Sequence, residues 1–263
     1  MNRNETSRLM SERNIRPKKS KGQNFLTDER VASRHIEFAS VSPDDNVLEV
    51  GPGLGILTEK LADACRRLTV IEIENTLADH IEETFGDRVH LIRGDALAVP
   101  WPEFDRFVSN LPYSISTPII FRLLDHDFKK AVVMVQKEFA ERMAACRGSV
   151  DYSRLTVNIY YRADCRILEN VPASRFKPRP KVDSAIVEIV PRPPPFTVVS
   201  EEMFFKVVDA GFLHRRKKIR SALRTEGITI PENADVPFLD DRMETLSPED
   251  IGKLSDAVYE ATR

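Results

Sequence analysis

Asn46-Val47-Leu48-Glu49-Val50 runs directly into Gly51-Pro52-Gly53-Leu54-Gly55, and an amphipathic stretch follows to about Cys65. A β-branched run that ends on glycines and opens a helix commits the chain to a βα unit. Its turn has no Cβ to hold a ligand away from the backbone. The pattern then repeats. Residues 68–73 read as a second strand and 76–85 as a helix, while 88–93, 106–109 and 131–135 supply three more strands with helical patterns between them. Such alternation predicts an α/β fold with a parallel, doubly wound, Rossmann-like sheet. Residues 167–168 and 185–190 are late strands with no helix between them, which predicts an antiparallel pair at one sheet edge.

Pro191-Arg192-Pro193-Pro194-Pro195 stops regular structure and acts as a stiff spacer. Beyond it, residues 201–212, 215–223 and 247–262 read as helices, the last with Ser247 as N-cap, Pro248 at the first helical position and acids in the first turn. Three regions are therefore expected: a basic, mobile segment over 1–20, the α/β domain over 21–192, and a small helical domain over 196–263. Hydrophobic residues make up 41% of the 263 residues, enough for a substantial core. The apolar runs are far too short to cross a bilayer, and the N-terminus carries no apolar signal segment. Cys65, Cys146 and Cys165 share no ligand-like spacing, so reduced thiols and no metal site are expected, in a cytoplasmic protein.

The net charge of −2 conceals an asymmetry. Arg3, Arg8, Arg13, Arg16, Lys18, Lys19 and Lys21 face only Glu5 and Glu12 in the first 22 residues, and Arg215-Arg216-Lys217-Lys218 form a second basic cluster. After residue 225 the chain turns acidic. Local clusters of this kind point to a polyanionic partner more than the overall charge does.

Acids recur at the ends of successive strands. Glu72 lies seventeen residues past Gly55, where a carboxylate can accept from both hydroxyls of a ribose. Gly94-Asp95-Ala96 ends the third strand, where an aspartate can accept from an adenine amine. Each acid alone fits a solvated loop charge, and the glycine turn alone also serves NAD and flavin enzymes. Together they describe an adenosine-shaped pocket. Asn110-Leu111-Pro112-Tyr113 follows the fourth strand. The exocyclic N6 of adenine is a poor nucleophile because its lone pair is delocalised into the ring. Two acceptors on its two N–H groups, the Asn110 side-chain oxygen and the Leu111 carbonyl, would draw it toward tetrahedral geometry. Pro112 restricts Leu111 to an extended conformation, and Tyr113 offers a π face to an extruded base.

With these residues in place, the sequence resembles the small-subunit ribosomal RNA adenine dimethyltransferases, which share a class I methyltransferase fold. The resemblance spans about residues 18–223. It rests on Gly22-Gln23-Asn24-Phe25-Leu26, the Glu49-to-Gly55 loop, Val70-Ile71-Glu72-Ile73-Glu74, Gly94-Asp95-Ala96, Asn110-Leu111-Pro112-Tyr113-Ser114-Ile115-Ser116 and Gln136-Lys137-Glu138. Phe176-Lys177-Pro178-Arg179-Pro180-Lys181-Val182-Asp183-Ser184 and Phe212-Leu213-His214-Arg215-Arg216-Lys217 complete it.

The resemblance implies S-adenosylmethionine as cofactor. Asn24 and Leu26 would close over it, Gly51 and Gly53 would lie beside its methionine part, Glu72 would hold its ribose, and Asp95 with Ala96 its adenine. Asn110 would serve cofactor and target base alike. Phe176 is implied to stack on the target adenine opposite Tyr113, although the residue alone reads as ordinary core. Arg215, Arg216 and Lys217 are implied to touch the rRNA backbone of a small ribosomal subunit, with the enzyme a monomer. His214 stands where the family pattern has glutamine, and residues after about 225 match no pattern. Large-subunit rRNA adenine methyltransferases of the antibiotic-resistance type share the fold, as do non-catalytic ribosome-assembly or transcription factors. DNA adenine methyltransferases share the chemistry but usually carry two prolines in the corresponding turn.

Overall fold

The computed structural model describes residues 2–18 and 21–263; Lys19 of the basic N-terminal run lies outside them, as do Met1 and Ser20. The chain falls into two compact units, Met1–Ala140 with Cys165–Pro191, and Glu141–Asp164 with Arg192–Arg263.

The first unit opens on a helix where a mobile segment was expected. Helix α1 (Arg3–Glu12) starts at a capping box: the Asn2 side chain accepts the Asn4 and Glu5 amides, and Glu5 reaches back to the Asn2 amide. Such a cap stabilises a helix by about 0.5–2 kcal/mol. Leu9, Met10 and Ile15 then pack on Phe25, Leu54 and Leu77. The short apolar patch, not a long periodic face, is what orders this polar stretch.

Strand β1 (Phe25–Leu26) and helix α2 (Glu29–Ala39, N-capped by Asp28) lead into β2 (Asn46–Val50), α3 (Ile56–Ala64), β3 (Arg67–Glu72), α4 (Asn75–Phe85) and β4 (His90–Arg93). Then come β5 (Arg106–Asn110), α5 (Ser116–Leu124), β6 (Lys130–Gln136) and α6 (Lys137–Met143). The unit resumes at β7 (Ala163–Val171), β8 (Phe176–Lys177) and β9 (Ser184–Pro191), with α7 (Arg154–Arg162) intervening in the chain. The large sheet has the order β4-β3-β2-β5-β6-β9-β7. Strands β2 to β6 run parallel, and β9 pairs antiparallel with β6, Gln136 facing Ser184. β1 and β8 form a separate antiparallel pair, Leu26 facing Phe176. The α/β expectation is met.

Parallel strands covered on both faces read as unbroken apolar runs. Val132, Val133, Met134 and Val135 of β6 are all fully buried, and so is Phe107 of β5. The strand order reverses between β2 and β5. A crevice opens at such a switch point, outside the carboxyl ends of the strands.

The second unit is helical and larger than the expected 196–263. It takes in α7, whose Val157 and Tyr161, one turn apart, pack in the same core as Phe204 and Val207. Helices α8 (Glu201–Leu213), α9 (Ile219–Thr225) and α10 (Pro248–Thr262) complete it around Phe204, Val207, Ile219, Leu223, Ile251 and Leu254. Ser247 caps α10 by accepting the Asp250 amide at 3.1 Å, with Pro248 in the first turn. Residues 215–218, expected to be helical, lie before α9 in the α8–α9 turn. Among the described residues no helix is long and apolar enough to cross a membrane.

Candidate active site

The crevice at the switch point holds a cavity of roughly 350 Å3, lined by the carboxyl ends of β2, β3 and β5, by the residues following β4 and by the strand β1 segment. Asn24, Leu26, Gly51, Gly53, Glu72, Asp95, Ala96, Asn110, Leu111 and Tyr113 all line it. Their gathering follows from topology, since parallel strands deliver their final residues to one edge.

The glycine loop touches the Asn110–Tyr113 turn. Gly51 sits at φ +70°, and a Cβ there would come within 3.0 Å of Pro112 Cγ. Gly22, at φ +62°, packs its backbone against the same turn, where a Cβ would meet the Ser114 amide nitrogen at 2.8 Å. A side chain at either position would push the turn away from the cavity.

Three acids face this space. Glu72 is buried, and one of its oxygens accepts the Glu74 amide at 2.8 Å. Burial pushes its carboxyl above the ordinary range. Glu49, 1% exposed, accepts from the Thr58 hydroxyl at 2.8 Å; burial and the neighbouring Glu72 push its carboxyl up to about 8. Asp95 is exposed, and its Oδ1 accepts the Leu97 amide at 2.9 Å. Glu74, beside Glu72, takes both Lys18 and Lys21, which hold its carboxyl below the ordinary range. These two lysines fasten the segment that ends in Asn24 to the start of α4.

Asn110 closes β5. Its side-chain amide donates to the Asn24 carbonyl at 3.4 Å, while its Oδ1 is buried and has no hydrogen-bond partner. A buried acceptor left unpaired costs about 1–3 kcal/mol, and this one belongs to a residue that lines the cavity. The Leu111 amide donates to the Met134 carbonyl at 3.0 Å, which fixes the turn to β6. Tyr113 is half-buried, and its hydroxyl shares a 2.6 Å hydrogen bond with Ser184 at the start of β9. Burial raises its phenol above the ordinary value.

Phe176 departs from the expected site. It is fully buried in the core with Leu26, Val31 and Val171, and its ring does not line the cavity. In the β1–β8 pair Phe176 stands opposite Leu26, and its ring is enclosed in the core cluster that also holds Val31 and Val171. Arg215, Arg216 and Lys217 belong to the helical unit and not to this cavity. Arg215 pairs with Glu244 at 2.8 Å and Lys217 donates to Thr225 at 3.1 Å. Among the described residues Arg216 makes no ion pair. His214 bonds Glu226 at 2.7 Å, so its role is local.

Glu49 and Phe25 line the cavity and Ser184 holds Tyr113, roles that the sequence pattern does not reveal. Ser184 could have been found only through the β6–β9 register, and Glu49 through its place one residue before the glycine loop's strand ends.

Comparison with known proteins gives the family. The family described as ribosomal RNA adenine dimethylase matches residues 14–256. The chain is 43% identical over 248 residues to a Methanosarcina acetivorans protein named "Probable ribosomal RNA small subunit methyltransferase A", covering 90% of this chain and 92% of the relative. Among solved structures it resembles a dimethyladenosine transferase from Plasmodium falciparum, with a TM-score of 0.74 and 30% identity over 88% of this chain and 95% of that one. It also resembles the 23S rRNA methyltransferase ErmE, with a TM-score of 0.67 and 28% identity over 90% of this chain and 100% of that one.

Proposed function

The chain belongs to the ribosomal RNA adenine dimethylase family, and from that premise we propose that it dimethylates adenine N6 in small-subunit ribosomal RNA, with S-adenosylmethionine as methyl donor. The observation that carries the reading is the buried, unpartnered Asn110 Oδ1 at the carboxyl end of β5.

The residues present fit the cofactor. Glu72 would accept from the ribose hydroxyls and Asp95 from the adenine amine. Gly51 and Gly53 leave backbone room for the methionine part, and Asn24 and Leu26, which line the same cavity, would close over it. When bound, S-adenosylmethionine supplies an electrophilic methyl group on a sulfonium.

The protein's work is to hold the amine. Asn110 Oδ1 accepts one N6–H and the Leu111 carbonyl the other, which localises the lone pair along the line of attack. An amine so held would take the methyl group from the sulfonium, and its excess proton would leave for water because the methylated amine is strongly acidic. Tyr113 supplies one face of the base slot, its ring held by the hydroxyl bond to Ser184. Phosphates around the target loop are gripped by the turn holding Arg215, Arg216 and Lys217 and by the basic N-terminal residues. The enzyme acts as a monomer on the small ribosomal subunit in the cytoplasm.

Likeness to ErmE favours a second reading, a large-subunit rRNA target. The higher identity to a relative named for the small subunit, 43% against 28%, supports the first.

Asn110→Ala tests the assignment. Single-turnover methyl transfer should fall at least about a hundredfold, the scale of losing one preorganised polar group at a reacting centre. Cofactor affinity should change far less. Transfer within tenfold of wild type would overturn the role given to Asn110.

A further inference from the structure

We infer that Arg122 is a positioning residue that ties the cofactor's adenine subsite to the target-base turn. The inference rests on the proposed placement of the cofactor adenine at Asp95.

Arg122 lies outside the cavity, on α5, and is half-buried. Its guanidinium donates to the Ala96 carbonyl at 2.8 Å and to the Val99 carbonyl at 2.7 Å. The Trp101 indole N–H donates to the same Ala96 carbonyl at 2.9 Å, so both lone pairs of that oxygen are engaged. The guanidinium carbon also lies 4.8 Å from the centre of the Trp101 ring. Among the described residues Arg122 makes no ion pair. Its charge is directed at the loop carbonyls and the indole face alone.

The loop thus held is the one that carries Asp95. The Asp95 carbonyl accepts the Ala98 and Val99 amides at 2.8 and 2.9 Å, and its side chain accepts the Leu97 amide. A tight turn built around Asp95 is therefore fastened from outside at Ala96 and Val99.

The other end of α5 belongs to the target-base turn. The Ile115 amide and the Ser116 hydroxyl both donate to the Pro112 carbonyl, at 3.1 and 3.2 Å. From Ser116, held to Pro112, helix α5 reaches Arg122 in less than two turns, about 9 Å at 1.5 Å rise per residue. One rigid element sets the height of the adenine subsite relative to Asn110. Arginine is required because two carbonyls and a ring face demand a planar fork; a lysine ammonium could satisfy one carbonyl and would not stack.

Calorimetric titration with S-adenosylhomocysteine and with S-inosylhomocysteine tests the idea. The inosine compound presents a carbonyl where the adenine amine would meet Asp95. Wild type should prefer the adenosine compound. Arg122→Leu should weaken S-adenosylhomocysteine at least about tenfold, the scale of a lost polar contact, and should leave S-inosylhomocysteine within about threefold, so the preference narrows. Arg122→Lys should fall between. Trp101→Phe, which removes the indole donor and shrinks the ring face beneath the guanidinium, should narrow the preference partially and provides the test if Arg122→Leu does not fold. A preference unchanged in Arg122→Lys and Trp101→Phe overturns the inference alone. A wild type without preference overturns the placement of adenine at Asp95, and the inference with it.

Discussion

Phe176→Ala separates a structural role from a base-stacking one. The ring is fully buried among Leu26, Val31 and Val171, on the two-residue strand that pairs with β1. Deleting a ring from such a site removes its transfer free energy and leaves a cavity, together about 3–5 kcal/mol. For a unit of this size each kcal/mol moves the midpoint by about 2–4 °C, so thermal unfolding should begin roughly 6–20 °C lower. Phe176→Tyr sharpens the contrast. A hydroxyl placed in that apolar pocket would lack a partner and should cost about 1–3 kcal/mol. An exposed stacking ring would tolerate the same change silently. Differential scanning calorimetry and urea titration of the cofactor-free protein measure both variants. Midpoints within about 2 °C of wild type for both, accompanied by lost capture of the target base, would refute the core assignment and return Phe176 to the site.

Glu49→Gln should alter the pH dependence of stability. Glu49 keeps its proton in the folded state up to about 8 and loses it near 4.5 when unfolded, so its stabilising contribution is complete below about 4.5 and declines as pH rises toward 8. The variant should lose that part of the slope in urea titrations from pH 5 to 8; parallel profiles would mean that Glu49 is not held neutral. Arg216→Glu should weaken rRNA binding more than Arg215→Glu, because Arg215 already pairs with Glu244. Each lost phosphate contact should reduce the log–log salt slope by roughly 0.7–0.9, and an unchanged slope for Arg216→Glu would place the grip elsewhere.

Much of the α/β unit was legible because its signals are local. Asn46–Val50 is strand β2 as expected, and glycines at 51, 53 and 55 all take positive φ. Glu72, Asp95 and Asn110 could be read as one site because parallel strands end on one edge. The Ser247 cap and Pro248 also placed α10 correctly. What escaped depends on contacts between distant residues. Strands β1 and β8 are two residues each, and nothing local announces that residues 25–26 pair with 176–177. The same pair holds Phe176, whose ring is enclosed in the core. Helix α7 is buried on more than one side, and its packing through Val157 and Tyr161 places it in the helical unit. The N-terminal helix was hidden by its polar composition, although the Asn2–Glu5 capping box is visible in the sequence. Arg122 gave no signal at all, since a carbonyl-binding arginine has no motif.

The central claim is that one pocket places two methyl groups on a single adenine nitrogen. The most direct measurement incubates the protein with labelled S-adenosylmethionine and undermethylated small ribosomal subunits, then follows the nucleosides by mass spectrometry. After the first transfer N6 keeps one hydrogen, so only Asn110 Oδ1 or the Leu111 carbonyl stays engaged, and spent cofactor must leave past Asn24 and Leu26 before the second. Monomethyladenosine should therefore rise first and give way to N6,N6-dimethyladenosine in small-subunit rRNA. Monomethyladenosine persisting as the end product at excess cofactor would contradict dimethylation, and label found only in large-subunit rRNA would contradict the proposed target.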